Sequence, residues 1–86
     1  MTYVVKVHKR VLKFIQSTPK EDSIRIKNRI AELENPYKTN FLKIRGEDNV
    51  FRMRVGNYRI LFSIFDEYKI VLVVKVDKRS KIYKRD

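Results

Sequence analysis

At mid-chain, the spacing of apolar residues in this 86-residue sequence changes from the period of a helix to the period of a strand. Between residues 9 and 34 the apolar side chains recur every three or four positions, which is typical of amphipathic helices. From Phe41 onward they alternate with polar ones, most strictly at 50–55, which is typical of strands. This change of period at mid-chain predicts an α+β domain with helices packed on one face of a sheet.

The first half of the chain predicts a strand and a helical hairpin. Residues 3–7 alternate as a strand does, and a first helix with one apolar side follows. Thr18 can cap a second helix, since Pro19 would take its first position and Glu21 the place of a capping-box partner. Asn35-Pro36 ends this helix at about residue 34, because the residue before a proline disfavours helical geometry.

The second half predicts three strands joined by two tight turns. Gly56-Asn57 separates alternating segments at 50–55 and 58–65, and both of its residues tolerate the positive φ of a two-residue hairpin turn. Asp66-Glu67 forms the next turn and is expected to be solvated. The last strand, at 68–76, contains a continuous apolar run, which is typical of a central strand covered on both faces.

Length and composition limit the chain to a single domain over residues 1–86. The predicted element order is β-α-α-β-β-β, with a mostly antiparallel sheet and the helical hairpin on one face. The sequence has no cysteine and one histidine, His8, which excludes a disulfide scaffold, a cysteine-ligated zinc site and an iron–sulfur cluster. We therefore expect no metal and no cofactor, and we expect His8 to be a helix cap or a surface residue.

No segment of the sequence is suited to a membrane. The longest apolar run, at 70–74, is far shorter than the ~18–20 residues that cross a bilayer. Basic residues between 6 and 13 interrupt any secretory segment at the start of the chain. We expect a cytoplasmic protein.

The chain is strongly basic, with 21 lysines and arginines against 10 acidic residues and a formal net charge of +11. Residues 75–85 hold six basic side chains and a single acid, Asp77. Such a field favours a polyanion or an acidic protein partner. A charged surface of the kind found in thermophiles would explain many charges, but it does not explain the excess of one sign.

The Gly56-Asn57 turn fixes a register that brings arginines together. With a two-residue loop, Arg54 lies opposite Arg59, and Arg52 lies two residues away on the same face. The apolar residues of both strands, with Tyr58 among them, then face the core. Like charges placed opposite each other destabilise a sheet unless an anion lies between them, and guanidinium groups bind phosphate bidentately. The face is therefore either a phosphate site or a solvated surface with splayed side chains.

Three segments together resemble the RelE toxins of the RelE/ParE toxin–antitoxin superfamily. They are a basic element at 42–46 (LKIRG), an alternating basic strand that continues through G-x-Y-R at 51–62 (FRMRVGNYRILF), and a C-terminal arginine followed by tyrosine at 78–83 (KRSKIY). The resemblance extends over essentially the whole chain, in composition and element order typical of archaeal or thermophilic members.

This resemblance implies a small RNase-like toxin that works without metal. Its implied activity is endonucleolytic cleavage of messenger RNA in the ribosomal A site, and its implied partners are the ribosome, mRNA and a cognate antitoxin. By motif position, the residues implied to be catalytic are Arg52, Arg54, Arg59, Arg79 and Tyr83. The residues expected to contact RNA are Lys43, Arg45, Lys75, Lys78 and Lys81.

The implied chemistry uses the RNA's own 2′-hydroxyl as the nucleophile and leaves a 2′,3′-cyclic phosphate and a 5′-hydroxyl. Arginines suit the stabilisation of the charge that develops on the phosphate, but a guanidinium with a pKa above about 12 is no base. Tyr83 is a candidate base, because nearby cations favour its phenolate, or it stacks on a nucleobase. Lys78 or Lys81 are the other candidates, and some family members carry lysines at the positions of Arg52 and Arg54.

Two other functions are compatible with the same sequence. A toxin of the ParE branch would share the fold but inhibit DNA gyrase without catalysis. A basic RNA-binding protein without catalysis would show tight, strongly salt-dependent RNA binding and no cleavage. The arginine set and Tyr83 favour the nuclease, because an inhibitor of a protein has no evident need for them.

Overall fold

The structure, a computed structural model, describes residues 2–78. Arg79, Lys81 and Tyr83 therefore lie outside the described residues. The described chain forms five strands, two α-helices and two short 3-10 turns, at Glu32–Glu34 and Pro36–Lys38. The main elements are β1 (Val4–Val7), α1 (Lys9–Gln16), α2 (Lys20–Ala31), β2 (Leu42–Lys43), β3 (Phe51–Val55), β4 (Tyr58–Phe65) and β5 (Ile70–Lys78).

The five strands form one sheet in the order β1-β5-β4-β3-β2. β1 runs parallel to β5, whereas every other neighbouring pair is antiparallel. The α1–α2 hairpin follows β1 in the chain, and the predicted mostly antiparallel α+β fold is confirmed. The sequence did not predict β2, because two residues are too few for a period to be recognised.

The core lies between the helical hairpin and one face of the sheet. The helices contribute Val11 and Ile15 from α1 and Ile26 and Ile30 from α2, each pair at a spacing of four residues. The strands contribute a second buried set, Met53, Tyr58, Ile60, Phe62, Ile64, Val71, Val73 and Val76. Burial of one such side chain stabilises the fold by about 1.5–3 kcal/mol. This core layer therefore fixes the strands, and with them the positions of the residues on the opposite face of the sheet.

The ends of the helices differ from the sequence-based expectation. Pro19 occupies the N-cap position of α2 without a side-chain cap, so the predicted Thr18 cap is wrong. The Thr18 hydroxyl instead donates to the carbonyl of Ile15, 2.7 Å away, because the short link leaves carbonyls at the end of α1 to be satisfied. His8 is a cap as expected, with its Nδ1 accepting from the backbone N–H of Arg10 at 3.0 Å.

β5 is an interior strand as its apolar run predicts, but only one of its faces is fully covered. Val71 and Val73 are buried under the helices, whereas Leu72 and Val74 on the other face are half-buried. The continuous apolar run of β5 therefore does not require helices on both sides of the sheet.

The described part of the chain contains no helix that is long and apolar enough to span a membrane.

Candidate nucleic-acid interface

The hairpin between β3 and β4 has the register that the sequence predicts. Arg54 pairs with Arg59 and Val55 with Tyr58 on either side of the turn. Gly56 takes φ +57°, whereas Asn57 needs no positive φ. A Cβ on Gly56 would lie 2.7 Å from a terminal nitrogen of Arg25, which a shift of that flexible side chain would relieve, so the positive φ is the main reason for glycine there.

The register brings the three strand arginines to the face that the helices leave uncovered. Successive side chains of a strand point to opposite faces, and the residues between these arginines belong to the core. Arg54 is exposed, while Arg52 and Arg59 are half-buried. We call this surface, with Arg52, Arg54, Arg59 and Lys75, the basic face.

A carboxylate lies inside the basic face. Asp77 of β5 is the cross-strand neighbour of Arg59, which therefore sits between Arg54 on one side and Asp77 on the other. Oδ2 of Asp77 lies 3.4 Å from a terminal nitrogen of Arg59 and 3.8 Å from Nζ of Lys75. The sequence identifies Asp77 only as the single acid of a basic segment and does not predict its position beside Arg59.

A β-bulge explains why the sequence does not predict which face of the sheet Asp77 occupies. Phe62 pairs with Val73, but Leu61 pairs with Lys75, so Val74 is an extra residue in β5. An extra residue reverses the alternation beyond it, which turns Asp77 toward the basic face and Val76 into the core. Strict alternation from the start of β5 would have placed these two side chains the other way round, so no period in the sequence reveals the arrangement.

The remaining described residues that the sequence assigned to RNA contacts are spread around the sheet. Lys75 lies on the basic face beside Asp77. Lys43 pairs with Phe51 and Lys78 with Tyr58, which places both lysines on the side that carries the core. Arg45 is exposed in the loop after β2. The structure thus joins Lys75 to the arginines and sets Lys43 and Lys78 apart from them.

A cleft of about 290 Å³ opens at the edge of the sheet next to the basic face. Its lining consists of Arg29, Asn40, Leu42, Arg52, Met53 and Arg54. Arg29, from α2, donates from Nε to the carbonyl of Arg54 at 3.3 Å and forms an ion pair with Glu32. Arg29 is a further cation near the site that the sequence did not single out, since the helical pattern gives it only a solvent-facing position.

Acidic partners raise the pKa values of three tyrosines away from the basic face. The Asp66 carboxylate accepts from Tyr3 at 2.6 Å and from Tyr37 at 2.8 Å, and the hydrogen bond raises the pKa of Tyr3 to about 12. Asp66 is exposed as expected, and in addition two phenols converge on it, which the sequence did not predict. Tyr58 is buried as expected, and its hydrogen bond to Asp22 at 2.7 Å, followed by burial, raises its pKa.

The chemistry of the basic face follows from its groups. Guanidinium groups donate in a planar fork that matches phosphate oxygens, and they remain protonated at neutral pH. The face can therefore hold a phosphodiester and offset charge that develops on it, whereas a proton acceptor must come from another group.

Comparison with known proteins places these features in a family. Residues 5–83 match the family described as the ParE toxin of the type II toxin–antitoxin system parDE. The chain is 31% identical to RelE1 of Methanocaldococcus jannaschii, over 98% of each sequence. It is structurally similar to the toxin in the RelE–RelB complex of Pyrococcus horikoshii, with a TM-score of 0.78, 31% identity and coverage of 94% of this chain and 99% of that one. The isolated RelE toxin of E. coli shares the fold, with a TM-score of 0.75 at 23% identity over 96% and 93% of the two chains.

Proposed function

The chain belongs to the ParE toxin family of type II toxin–antitoxin systems, and from this premise we propose that it is a ribosome-dependent endoribonuclease that cuts mRNA in the A site. The observation that carries the proposal is the cross-strand pair of Arg54 and Arg59, with Arg52 on the same uncovered face. Two guanidinium groups opposite each other cost stability, and a bound phosphate offsets that cost. This supports a nucleic acid as the ligand of the basic face.

The proposed reaction is an internal transesterification. The 2′-oxygen of the RNA attacks the adjacent phosphorus, the bond to the 5′-oxygen breaks, and a 2′,3′-cyclic phosphate and a 5′-hydroxyl result. One proton leaves the 2′-hydroxyl and one is delivered to the departing 5′-oxygen. Arg52, Arg54 and Arg59 stabilise the negative charge on the phosphorane, which preorganised cations do at no cost of reorganisation.

The proton transfers are assigned to the C-terminal segment. Tyr83 is our candidate base, with Lys78 and Lys81 as the alternatives, and Arg79 is proposed to add a further phosphate contact. The assignment is consistent with the described residues, since the arginines of the basic face stay protonated and cannot serve as a base.

We propose three partners, all reached in the cytoplasm: the ribosome, its mRNA and a cognate antitoxin. The structurally similar RelE of P. horikoshii was solved in a complex with RelB. A net charge of +11 and an uncovered basic face support an antitoxin that presents acidic residues to Arg54 and Arg59.

The decisive experiment maps the 5′ ends of cellular mRNA after the chain is expressed from a tightly repressed promoter. The test variant is Arg59→Ala Tyr83→Phe. Its control is Lys27→Ala Tyr68→Phe, which also removes one basic side chain and one phenol hydroxyl, at exposed positions away from the basic face. We expect new cuts within translated codons for the parent and the control and none for the test variant. Growth arrest with intact mRNA would contradict the nuclease.

The family match favours one alternative, because the matching description names a ParE toxin. A ParE-branch toxin would inhibit DNA gyrase, and its inhibition would survive replacement of the basic-face arginines. Supercoiling by purified gyrase, measured with the parent and with Arg59→Ala, separates the two activities. Inhibition that is equal for both, together with uncut mRNA, would establish the alternative. RNA binding without toxicity would instead indicate a basic RNA-binding protein.

A further inference from the structure

Asp77 is the only acidic residue in the five described strands, and it lies on the β5 side of the basic face, directly beside Arg59. A carboxylate at that place repels the phosphate that the neighbouring arginines would attract. The β-bulge at Val74 is what turns it toward this face. A carboxylate within an anion-binding surface lowers the affinity for RNA, so its position there needs an explanation other than RNA binding.

The contact between Asp77 and Arg59 is loose for a pair of this kind. One nitrogen–oxygen distance of 3.4 Å joins them, whereas a bidentate pair has two contacts near 2.7–2.9 Å. Nε of Arg59 and Oδ1 of Asp77 are buried and have no hydrogen-bond partner among residues 2–78. The two side chains are 17% and 21% exposed, so water screens them only in part. Asp77 therefore restrains Arg59 without using up its donors.

We propose that Asp77 is a positioning residue that aims the Arg59 guanidinium at the scissile phosphate, at the cost of weaker RNA binding. The inference rests on the proposed endoribonuclease function and deepens it. Asp77 lies on the β5 side of Arg59 and Arg54 on the β3 side, so the carboxylate holds the guanidinium from one side while the phosphate is bound from the other. Lys75, 3.8 Å from the same oxygen, shares the restraint.

The proposal predicts opposite effects on binding and on catalysis. Loss of the carboxylate charge strengthens RNA binding, because a repulsive group beside the phosphate is gone. Loss of the restraint slows cleavage, because Arg59 then samples orientations that do not match the transition state. A residue with a purely structural role would weaken both together.

The test compares Asp77→Asn with Glu67→Gln, which makes the same charge change in an exposed turn at the other end of β4. Affinity is measured with a single-stranded RNA that carries 2′-O-methyl at the scissile position, so that it cannot react. Cleavage is measured in single turnover on mRNA-programmed ribosomes. We expect Asp77→Asn to bind about three- to tenfold more tightly than Glu67→Gln, as one unit charge nearby implies. We expect it to cleave about ten- to hundredfold more slowly.

A second variant separates charge from position. Asp77→Glu keeps the charge and moves the carboxylate by one methylene, so we expect parental affinity with slower cleavage. Thermal unfolding of each variant shows whether the fold is retained.

The affinity comparison decides the inference. RNA binding by Asp77→Asn that is no tighter than binding by Glu67→Gln would overturn it, as would unimpaired cleavage by Asp77→Asn. A parent chain that binds RNA but does not cleave it on ribosomes would overturn the endoribonuclease and with it the aiming role. In that case tighter binding by Asp77→Asn would still show that the carboxylate opposes the phosphate, so the two failures are distinguishable.

Discussion

An aspartate lies beside each end of β4, Asp66 in the turn after Phe65 and Asp77 on β5 opposite Arg59, and the two carboxylates differ in how fully they are hydrogen-bonded. At the Phe65 end, the Asp66 carboxylate accepts one hydrogen bond from Tyr3 at 2.6 Å and one from Tyr37 that its two oxygens share at 2.8 and 2.9 Å. At the other end, Asp77 meets Arg59 through one contact of 3.4 Å and leaves an oxygen without a partner among the described residues. We call these the tyrosine end and the arginine end of the strand.

The difference separates polar groups that satisfy one another from polar groups that, under the proposed function, bind a phosphate. Polar groups that satisfy one another rigidify a structure, and the tyrosine end fastens β1 and the turn at Pro36–Lys38 to the turn before β5. The arginine end places Arg54 opposite Arg59 and leaves Nε of Arg59 and Oδ1 of Asp77 without a hydrogen-bond partner among residues 2–78, and both features cost stability. Substitutions should therefore affect stability at one end and activity at the other.

The largest expected effect is on catalysis at the arginine end. We expect Arg59→Ala to lower single-turnover cleavage by about 10²–10³-fold, the usual result of removing one preorganised donor to a developing charge. Lys27→Ala removes a basic side chain from the exposed face of α2 and serves as the control. Cleavage on mRNA-programmed ribosomes is the measurement, and equal rates for the two variants would contradict the assigned role of Arg59.

The next effect is on stability at the tyrosine end in acid. The hydrogen bonds from Tyr3 and Tyr37 lower the pKa of Asp66 from its ordinary 3.8. Because the folded-state pKa is the lower one, this stabilisation is complete above pH 3.8 and is lost as the pH falls through the folded-state value. We expect Asp66→Asn to melt below the parent at pH 7 and to approach it in strong acid. A melting difference that does not change with pH would contradict the linkage.

A smaller effect is expected at alkaline pH. The pKa of Tyr3 is raised from 10.0 to about 12, so the phenol stabilises the fold fully below pH 10. This contribution is lost as the pH rises from 10 to about 12, since the unfolded chain then releases the proton more readily. We expect Tyr3→Phe to be less stable than the parent at pH 9 and the difference to shrink across this window. Chemical denaturation at several pH values measures it, with Tyr68→Phe at an exposed position as the control.

The sequence predicts the β3–β4 hairpin well, because every determinant of it is local. The Gly56-Asn57 turn and the alternation around it are enough to place Arg54 opposite Arg59, and the structure confirms this pairing. The change from a helical to a strand period at mid-chain likewise predicts the helical hairpin on one face of the sheet.

What the sequence could not predict depends on contacts between distant segments. The bulge at Val74 reverses the alternation of β5, and nothing in an apolar run marks which residue is extra. Asp77 therefore could not be assigned to the face of Arg59. The bonds from Tyr3 and Tyr37 to Asp66 join segments up to 63 positions apart, beyond any local pattern. The prediction for Thr18 is wrong for a local reason, because its hydroxyl can donate to a carbonyl of the helix before it instead of capping the helix after it.

The smallest expected effect tests whether Arg54 binds phosphate as a charge. Arg54 is exposed beside Arg59, so Arg54→Gln should weaken RNA binding uniformly across sequences and reduce the slope of log affinity against log salt by about 1. Relief of the like-charge pair should offset part of any lost contact, so we expect the melting temperature to change less than for Asp66→Asn. Fluorescence anisotropy with a single-stranded RNA at four salt concentrations gives the slope. An unchanged slope would show that Arg54 does not bind the phosphate. The two ends of β4 would then not differ in ligand binding in the way proposed.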